Sequence, residues 1–490
     1  PIYGINPRLM HLENIALHVA SALLIFALLL RLAPSVVKID ERRLTVAAAI
    51  GAAAWALSPV HTQAVSYLVQ RHTLMSGALV SGSCYCWVRG RKISRGRSLW
   101  FAGAGLCFAA AAASKESGFL APVYWLLAEP LLRSAPAARV NRRFMAGLAG
   151  AALMAGATLL AALALSGMLD GFAQTYRELG YGPLERLATE ARVVLGYLVT
   201  IVLPLPSRLA LDHEIEVSTS LFAPWTTAPA IIIILAAVAV AVAAWHRRPA
   251  LAVCILGFLV SLAPEATIVP VELINDHRMY LAAAFVVPPL AMWAALNLDR
   301  RALPVLIAVL ALLGGLTALR NRTWQDLIKL WSDSAKKSPA LYRPWSNLCG
   351  ALTDEGEFHR AIPACDAAIR RNPPGPAPQI NRGISLMRLG DREQAGLDFA
   401  AAAQKWPDSA LARFNYGAFL FTVRRGPEAL AEISRALELD PFLAPAYLLR
   451  ARIYLESGNP AQARADLALL LRMYPENEEA RRLLEEAGKR

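Results

Sequence analysis

The chain has 490 residues, of which 56% are hydrophobic and 18% are charged, and its net charge is +13. Residues up to about 319 are largely Ala, Leu and Val runs, whereas those after 320 have the composition of a soluble helical protein. The positive charge does not indicate nucleic-acid binding, because much of it lies in short loops between apolar segments, where Lys and Arg set membrane orientation. The six cysteines do not form a disulfide framework.

The first part of the chain is a series of apolar segments close to the roughly 17–25 residues that cross a hydrocarbon core. We predict a polytopic helical membrane domain over residues 1–320, with about ten spans and one re-entrant helix. The chain begins at Pro1 with neither an initiator Met nor a secretory signal, so we expect it to lack its true N-terminus. The orientation inferred below places the first residues outside, so we expect at least one further span upstream. The segments are 15–33, 44–58, 73–88, 99–113, 117–132, 144–167, 191–204, 228–245, 249–263, 280–296 and 303–319.

Clusters of Lys and Arg predict which loops are cytoplasmic. These basic loops are 31–43, 89–97, 133–143, 246–248 and 299–301. They can share one side only if one segment between 167 and 228 does not cross. We assign this role to 191–204, which is short and ends in a proline-rich stretch, as a re-entrant or interfacial helix. The other loops and everything after 320 then face outward.

The outward loops carry the His and carboxylate clusters of this part, and this asymmetry predicts an external active site. The densest stretch is Pro59–His72, between two strongly apolar segments. Ionisable groups at membrane depth are costly, so such a stretch marks a functional site. The alternative is an ordinary external loop whose polar residues meet water.

These loops hold the groups needed to transfer a sugar from a lipid phosphate: cations for the phosphate and a carboxylate or His for the acceptor proton. The predicted phosphate-binding cations, each of which is alternatively an interfacial anchor, are Arg71, Lys115 and Arg278. The predicted catalytic carboxylates are Glu116, Asp212 and Asp276. Further residues predicted to line the site are His11, Asn14, His61, Gln70, His213, Glu272, His277 and Tyr280.

Two of these assignments have simpler alternatives. His11, Asn14 and His18 share one helical face, and hydrogen bonding within the bundle is the favoured explanation for them. Glu116 beside Lys115 is alternatively a local ion pair. No spacing of His or Cys is typical of a zinc site, and we predict no metal site.

The C-terminal part repeats with a period of 34 residues, the tetratricopeptide (TPR) period. The repeat is marked by Pro339, Pro373, Pro407, Pro441 and Pro475. Ala361, Ala395, Ala429 and Ala463 recur in phase and let paired helices approach closely. We predict a TPR α-solenoid over 323–490, with a half repeat at 323–339, four repeats over 342–475 and a capping helix at 476–488.

Cys349 and Cys365 lie on the two helices of the first predicted repeat. If the domain is periplasmic, its oxidising surroundings allow the two cysteines to form a disulfide. Two small buried thiols are the favoured alternative.

Three stretches of the first part resemble the TMTC family, the transmembrane and TPR-containing glycosyltransferases of the GT-C class. They are His11–His18, Pro59–Arg71 and Ser114–Glu116. Asp212-His213, with Val217–Leu221, and His277–Leu281 resemble bacterial members of that group. The order of membrane part and then TPRs is also the same.

The resemblance implies transfer of a sugar from a polyprenyl-phosphate donor to a protein or surface-glycan acceptor on the periplasmic side of the inner membrane. Eukaryotic relatives are protein O-mannosyltransferases that use dolichyl-phosphate mannose. The TPR groove would bind the acceptor or a protein partner. No cofactor beyond the lipid-linked donor is indicated, and dependence on a divalent metal stays open.

Two features depart from the family pattern. GT-C enzymes carry a key acidic residue in a first external loop that is largely absent here, so the principal base is expected upstream. Met279 also stands where bacterial relatives have Asn in the motif around His277 and Arg278.

The alternative function is a non-catalytic membrane scaffold whose TPRs recruit envelope-assembly proteins. A transporter is less favoured, because no predicted span carries an ionisable residue well inside its apolar centre.

Overall fold

The computed structural model of the protein describes residues 6–132, 168–298 and 300–489. Every regular element in these residues is a helix, which confirms the predicted all-α class. The predicted basic loop 133–143 and apolar segment 144–167 lie outside the described residues.

The first compact unit, Pro1–Gln325, holds the apolar segments. Its described helices, numbered α1–α13 in chain order, are Pro7–Leu32, Glu41–Ala56, Thr62–Ser66, Arg71–Lys92, Arg97–Ser114, Ala121–Leu132, Met168–Leu179, Pro183–Val202, Thr227–Ala244, Pro249–Leu262, Met279–Ala282, Val287–Asn297 and Leu303–Arg322. α1 begins well before the apolar residues, because the Asn6 side chain accepts hydrogen bonds from the backbone N–H groups of Arg8 and Leu9.

Four of the described helical stretches are long and apolar enough to cross a membrane. They are Pro7–Ser35, Thr227–Ala244, Asp276–Asn297 and Leu303–Arg322. A fifth results if Glu41–Ala56 and Pro59–Ser66, which meet at a bend of 46°, form one broken span. These helices suggest a membrane domain, and the number of about ten spans stays a prediction.

The stretch that follows α2 folds inward instead of forming an exposed loop. Two short 3-10 turns, Pro59–His61 and Leu68–Gln70, flank α3. His61 and Gln63 are only 2% and 3% exposed, and Gln63 Oε1 accepts a hydrogen bond of 2.6 Å from the His277 backbone N–H. The interpretation of this part as an ordinary water-facing loop is therefore wrong, because these side chains are buried and Gln63 joins the stretch to the distant segment at His277.

The predicted re-entrant segment 191–204 is the second half of a longer helix. α8 begins at Pro183, with Glu185 accepting from the Gly182 backbone N–H at its start. The buried residues Arg186 and Glu190 form an ion pair of 2.9 Å in the first half. The predicted segment left out this first half because the half contains charged residues. In the structure Arg186 and Glu190 are buried.

The second compact unit, Asp326–Arg490, consists of paired helices. They are α14–α23, at Leu327–Lys337, Tyr342–Asp354, Phe358–Arg370, Ala377–Leu389, Arg392–Lys405, Ala410–Thr422, Gly426–Leu439, Ala444–Glu456, Pro460–Met473 and Glu478–Lys489. The in-phase Ala395, Ala429 and Ala463 are fully buried. At Gly417 a Cβ would lie 2.7 Å from Ile433 Cδ1, so the pair α19 and α20 needs a residue without a side chain here.

A disulfide bond joins Cys349 on α15 to Cys365 on α16. The sequence favoured two buried thiols, and this is wrong because the two Cα atoms are only 4.9 Å apart, within the range that a disulfide spans. Both residues are fully buried. The bond fixes the two helices of the first pair to each other.

We predict that alkylation of the unfolded protein labels four thiols before reduction and six afterwards, since Cys84, Cys86, Cys107 and Cys254 are free. Intact-mass spectrometry counts the added groups. In Cys349→Ser the count should be five with or without reductant. Six labels on the unreduced wild type would contradict the disulfide.

Candidate functional site

Two of the predicted cations meet at one carboxylate, Glu265. Lys115 Nζ lies 3.1 Å from Glu265 Oε1, and Arg278 Nε forms an ion pair with Glu265 Oε2. The side chains of Lys115 and Arg278 are 8% and 6% exposed, and that of Glu265 is 18% exposed. Lys115 therefore meets Glu265 and Arg278, which lie close to each other in the sequence and far from Lys115, in a site that is largely removed from water.

A tight turn after α5 places Lys115. Its backbone is extended at the end of the helix, and the 3-10 helix Glu116–Leu120 follows at once. A Cβ on Gly118 would lie 2.2 Å from the Ala111 backbone, so only glycine permits this return along α5. Lys115 Nζ also donates to Thr73 Oγ1 at 3.4 Å, whereas Glu116 is 58% exposed and lies 3.7 Å from Nζ.

Arg278 is fixed by its own loop. Its Nη1 donates to the carbonyl of Leu273 at 2.9 Å and its Nη2 to that of Glu272 at 2.6 Å. The Glu272 side chain is exposed, and it accepts a hydrogen bond of 3.0 Å from Asn275. The guanidinium thus closes the loop before the 3-10 helix Asp276–Arg278 and points its Nε at Glu265.

α8 holds the loop that contains Glu265. The fully buried Arg186 donates to the carbonyls of Glu265, Thr267 and Val271, at 3.3, 2.9 and 2.5 Å. One turn from its end, Tyr197 exchanges two hydrogen bonds with the Asn275 backbone, of 3.1 and 2.8 Å. The loop is therefore tied to one rigid helix at both of its ends.

A second charged pair lies beside Arg278 in the sequence. Asp276 Oδ1 is 2.8 Å from His213 Nε2, and Asp276 Oδ2 accepts from the Ala210 backbone N–H at 3.0 Å. Burial lowers the pKa of His213. The charge of Asp276 and the hydrogen bond to it raise that pKa by more than burial lowers it, so the pKa lies above its ordinary value. Asp212 is also buried, next to this pair in the chain.

Electrostatics keep Glu265 ionised. Burial raises the pKa of its carboxyl group, but the charges of Lys115 and Arg278 outweigh this effect and hold the pKa below its ordinary value. A carboxylate between two cations is thus the stable form of the site.

A third group consists of rings packed against one another. His61 lies 4.4 Å from Trp55 and 5.0 Å from Tyr280, measured between ring centroids. His18 on α1 joins them, with Nδ1 3.0 Å from Tyr280 Oη and Nε2 3.0 Å from the Ala56 carbonyl. His61 and Tyr280 therefore lie in a buried aromatic cluster that binds α1, α2 and α11 together.

Several predicted residues lie outside these groups. Arg71 forms an ion pair with Glu13 at 3.0 Å instead of contacting Glu265, and Asn14 donates to the Val65 carbonyl at 3.0 Å. Gln70 accepts from Thr73 at 3.0 Å, and His11 is half-buried on α1. For Asn14 and His18, hydrogen bonding within the bundle is confirmed.

Sequence reasoning missed Glu265 and Arg186. The available signal for Glu265 was a single carboxylate directly after an apolar segment, with no cation near it in sequence. Arg186 was missed because it precedes the predicted apolar segment 191–204 of its helix. Two of their contacts join residues that lie 79 and 150 positions apart along the chain, between Arg186 and Glu265 and between Lys115 and Glu265.

An apolar cavity of about 560 Å³ lies in the first unit. Leu281, Phe285, Met292 and Leu296, which follow Arg278 in the chain, line one side of it, and Leu28 and Leu32 of α1 line another. The cavity suits a hydrocarbon chain because its lining is almost entirely aliphatic and aromatic. Among the described residues, no three His, Cys, Asp or Glu side chains lie together so as to hold a metal ion.

A tetratricopeptide repeat family model matches residues 445–477, which correspond to α21 and α22. The chain therefore contains a tetratricopeptide repeat. A search of the curated proteins gives no match.

Several solved structures are similar to part of this chain. YrrB, described as a TPR protein with an unusual peptide-binding site, is 18% identical, with 39% of this chain and 92% of YrrB covered and a TM-score of 0.28. TTC0263 of Thermus thermophilus is 18% identical, with 39% and 99% covered and a TM-score of 0.31. PilF of Pseudomonas aeruginosa is 16% identical, with 41% and 88% covered and a TM-score of 0.30.

We predict that Glu265→Gln destabilises the protein by about 3 kcal/mol, because it leaves two buried cations without their counter-charge. Glu116→Gln is the matched control, since Glu116 contacts the same lysine from an exposed position, where an ion pair contributes about 1 kcal/mol or less. Denaturant unfolding of the protein in nanodiscs measures both. Equal losses in the two variants would contradict the site's geometry.

His213 provides a pH-dependent prediction. Its folded pKa is raised above the ordinary value of 6.5, so its contact with Asp276 stabilises the fold fully below 6.5 and is lost as pH rises through the folded value. The gap in unfolding temperature between wild type and His213→Gln should therefore be largest below pH 6.5 and shrink as the pH rises above it. A gap that widens with pH would overturn this assignment.

Proposed function

We propose that the protein is a membrane glycosyltransferase that moves a sugar from a polyprenyl-phosphate donor to a protein or surface-glycan acceptor outside the cytoplasm. The observation that carries this proposal is the convergence of Lys115 and Arg278 on one partly buried carboxylate. An apolar cavity lined by Leu281, three residues after Arg278 in the chain, adds to it. The resemblance of the sequence to the TMTC family supports the same reaction.

The donor phosphate binds where Glu265 now lies. Lys115 and Arg278 already hold an anion there, and a phosphate offers oxygens of the same charge to the same donors. Glu265 keeps the two buried cations compensated while the site is without donor, and the phosphate displaces it. In the transfer step these cations stabilise the leaving phosphate as the bond from the sugar to its oxygen breaks.

The acid–base role falls to the Asp276–His213 pair. The acceptor hydroxyl attacks the anomeric carbon, the phosphate leaves with the bonding electrons, and Asp276 takes the proton from the acceptor. His213 and the Ala210 N–H fix the orientation of this carboxylate. Glu116 is less suited because it is exposed, and the buried Asp212 is the remaining candidate.

The lipid tail of the donor lies in the apolar cavity. The wall of the cavity that follows Arg278 in the chain starts at Leu281, one helical turn after Arg278, and extends along α12 to Leu296. A phosphate at Arg278 would therefore have its hydrocarbon chain directed along this wall, so one continuous segment contacts both parts of the donor.

The TPR unit binds the acceptor or a protein partner on the periplasmic side of the inner membrane. The Cys349–Cys365 disulfide supports this location, because such bonds persist in oxidising compartments. Stacked TPR helices form an extended concave surface that suits a peptide.

We predict that membranes containing the protein transfer label from polyprenyl-phosphate sugars to protein or glycan, and that Lys115→Ala and Arg278→Ala each lower the rate by about 100-fold or more. Arg208→Ala is the control, since Arg208 is an exposed cation near the same loops. An equal loss in all three variants would point to general damage instead of a phosphate site.

A membrane scaffold is the second candidate, favoured by the tetratricopeptide repeat at 445–477. Failure of transfer from every donor, with envelope proteins still retained by the TPR unit, would support the scaffold. Transfer that needs residues 326–490 would support the transferase with a TPR-bound acceptor.

A further inference from the structure

An exposed apolar turn precedes α9. Within residues 218–225, here called the apolar turn, Leu221, Phe222 and Trp225 are 53%, 79% and 75% exposed. No charged residue occurs between 217 and 228. Large apolar side chains grouped in this way mark a contact surface.

The backbone of the apolar turn is bonded within itself. The N–H groups of Thr219 and Ser220 donate to the Ala223 carbonyl, at 2.9 and 3.3 Å. Those of Phe222 and Ala223 donate to Ser220 Oγ, at 3.2 and 3.0 Å. These internal bonds lower the cost of taking the turn out of water, since unpaired polar groups are what make burial unfavourable.

The apolar turn continues the outer surface of a helix that suits a membrane span. Trp225 lies two residues before α9, and the Leu221 carbonyl accepts from the Ala228 N–H at 3.0 Å. Only 17% of the residues of α9 are buried within the protein. Ile232, Ile233 and Leu235 are exposed along this helix. The apolar surface thus runs without a charged break from the turn onto the helix.

The turn is also fixed to the helix that positions the site. The Ser218 N–H donates to Thr189 Oγ1 of α8 at 2.8 Å, and Ser218 Oγ lies 2.8 Å from Thr227 Oγ1. Arg192 of α8 donates to the Glu216 carbonyl at 2.6 Å. The same loop carries His213. The position of the turn is therefore coupled to α8 and to His213.

We propose that the apolar turn is an interfacial anchor that inserts Phe222 and Trp225 at the boundary between headgroups and acyl chains of the outer leaflet. Trp suits this position because its ring is apolar and its N–H is polar. The anchor sets the depth of the His213 loop relative to the lipid surface. This inference rests on the membrane placement in the proposed function and not on sugar transfer.

The test is the quenching of Trp225 by lipid in nanodiscs. Fluorescence of wild type minus that of Trp225→Phe isolates this residue among the 11 tryptophans. Nanodiscs of phosphatidylcholine with brominated acyl chains should remove the Trp225 component, and iodide in the water should leave it unchanged. Trp406→Phe in the TPR unit is the matched control, and its component should respond to iodide and not to bromine.

A second variant moves the reporter. Phe222→Trp in the Trp225→Phe background should give a component that bromine also removes. Components at 222 and 225 that are insensitive to bromine and quenched by iodide would overturn the anchor. Because the measurement needs no sugar donor, quenching without transfer would contradict the transferase and leave the anchor intact.

Discussion

The site depends on the compensation of two buried cations by one carboxylate. Lys115 and Arg278 come from segments far apart in sequence, and neither is stable out of water alone. Glu265 brings them together, and the cations in turn keep it ionised. The proposed phosphate site depends on this arrangement, in which two cations already hold one anion.

The scaffold around this triad is built from long-range hydrogen bonds instead of loops in water. Arg186 and Tyr197 of α8 fix the two ends of the loop that carries Glu265, and Gln63 fixes the backbone at His277. The ring cluster around His61 joins the helices beneath. The residues predicted from sequence to line a site are thus divided among the charged site, the supports that hold it and contacts elsewhere in the first unit.

The sequence predicted the helical class correctly. It also singled out Lys115, Arg278 and Asp276, because ionisable residues at the ends of apolar segments are rare and costly. Their catalytic roles stay predictions. It could not predict Glu265, since nothing near Pro264 indicates which cation it would meet. Arg71 has the same sequence context as Arg278 but pairs with Glu13. Only the folded arrangement distinguishes these two arginines. The fold also shows that the predicted segment 191–204 continues a longer helix that begins at Pro183.

The most direct measurement of the central claim is native mass spectrometry of the complete protein with added polyprenyl phosphate and, separately, the uncharged polyprenol. The wild type should retain the phosphate far better than the alcohol. This preference should disappear in Lys115→Ala and Arg278→Ala and persist in Arg208→Ala. Equal retention of both lipids by the wild type, or a preference that survives loss of either buried cation, would contradict an anion site at Glu265.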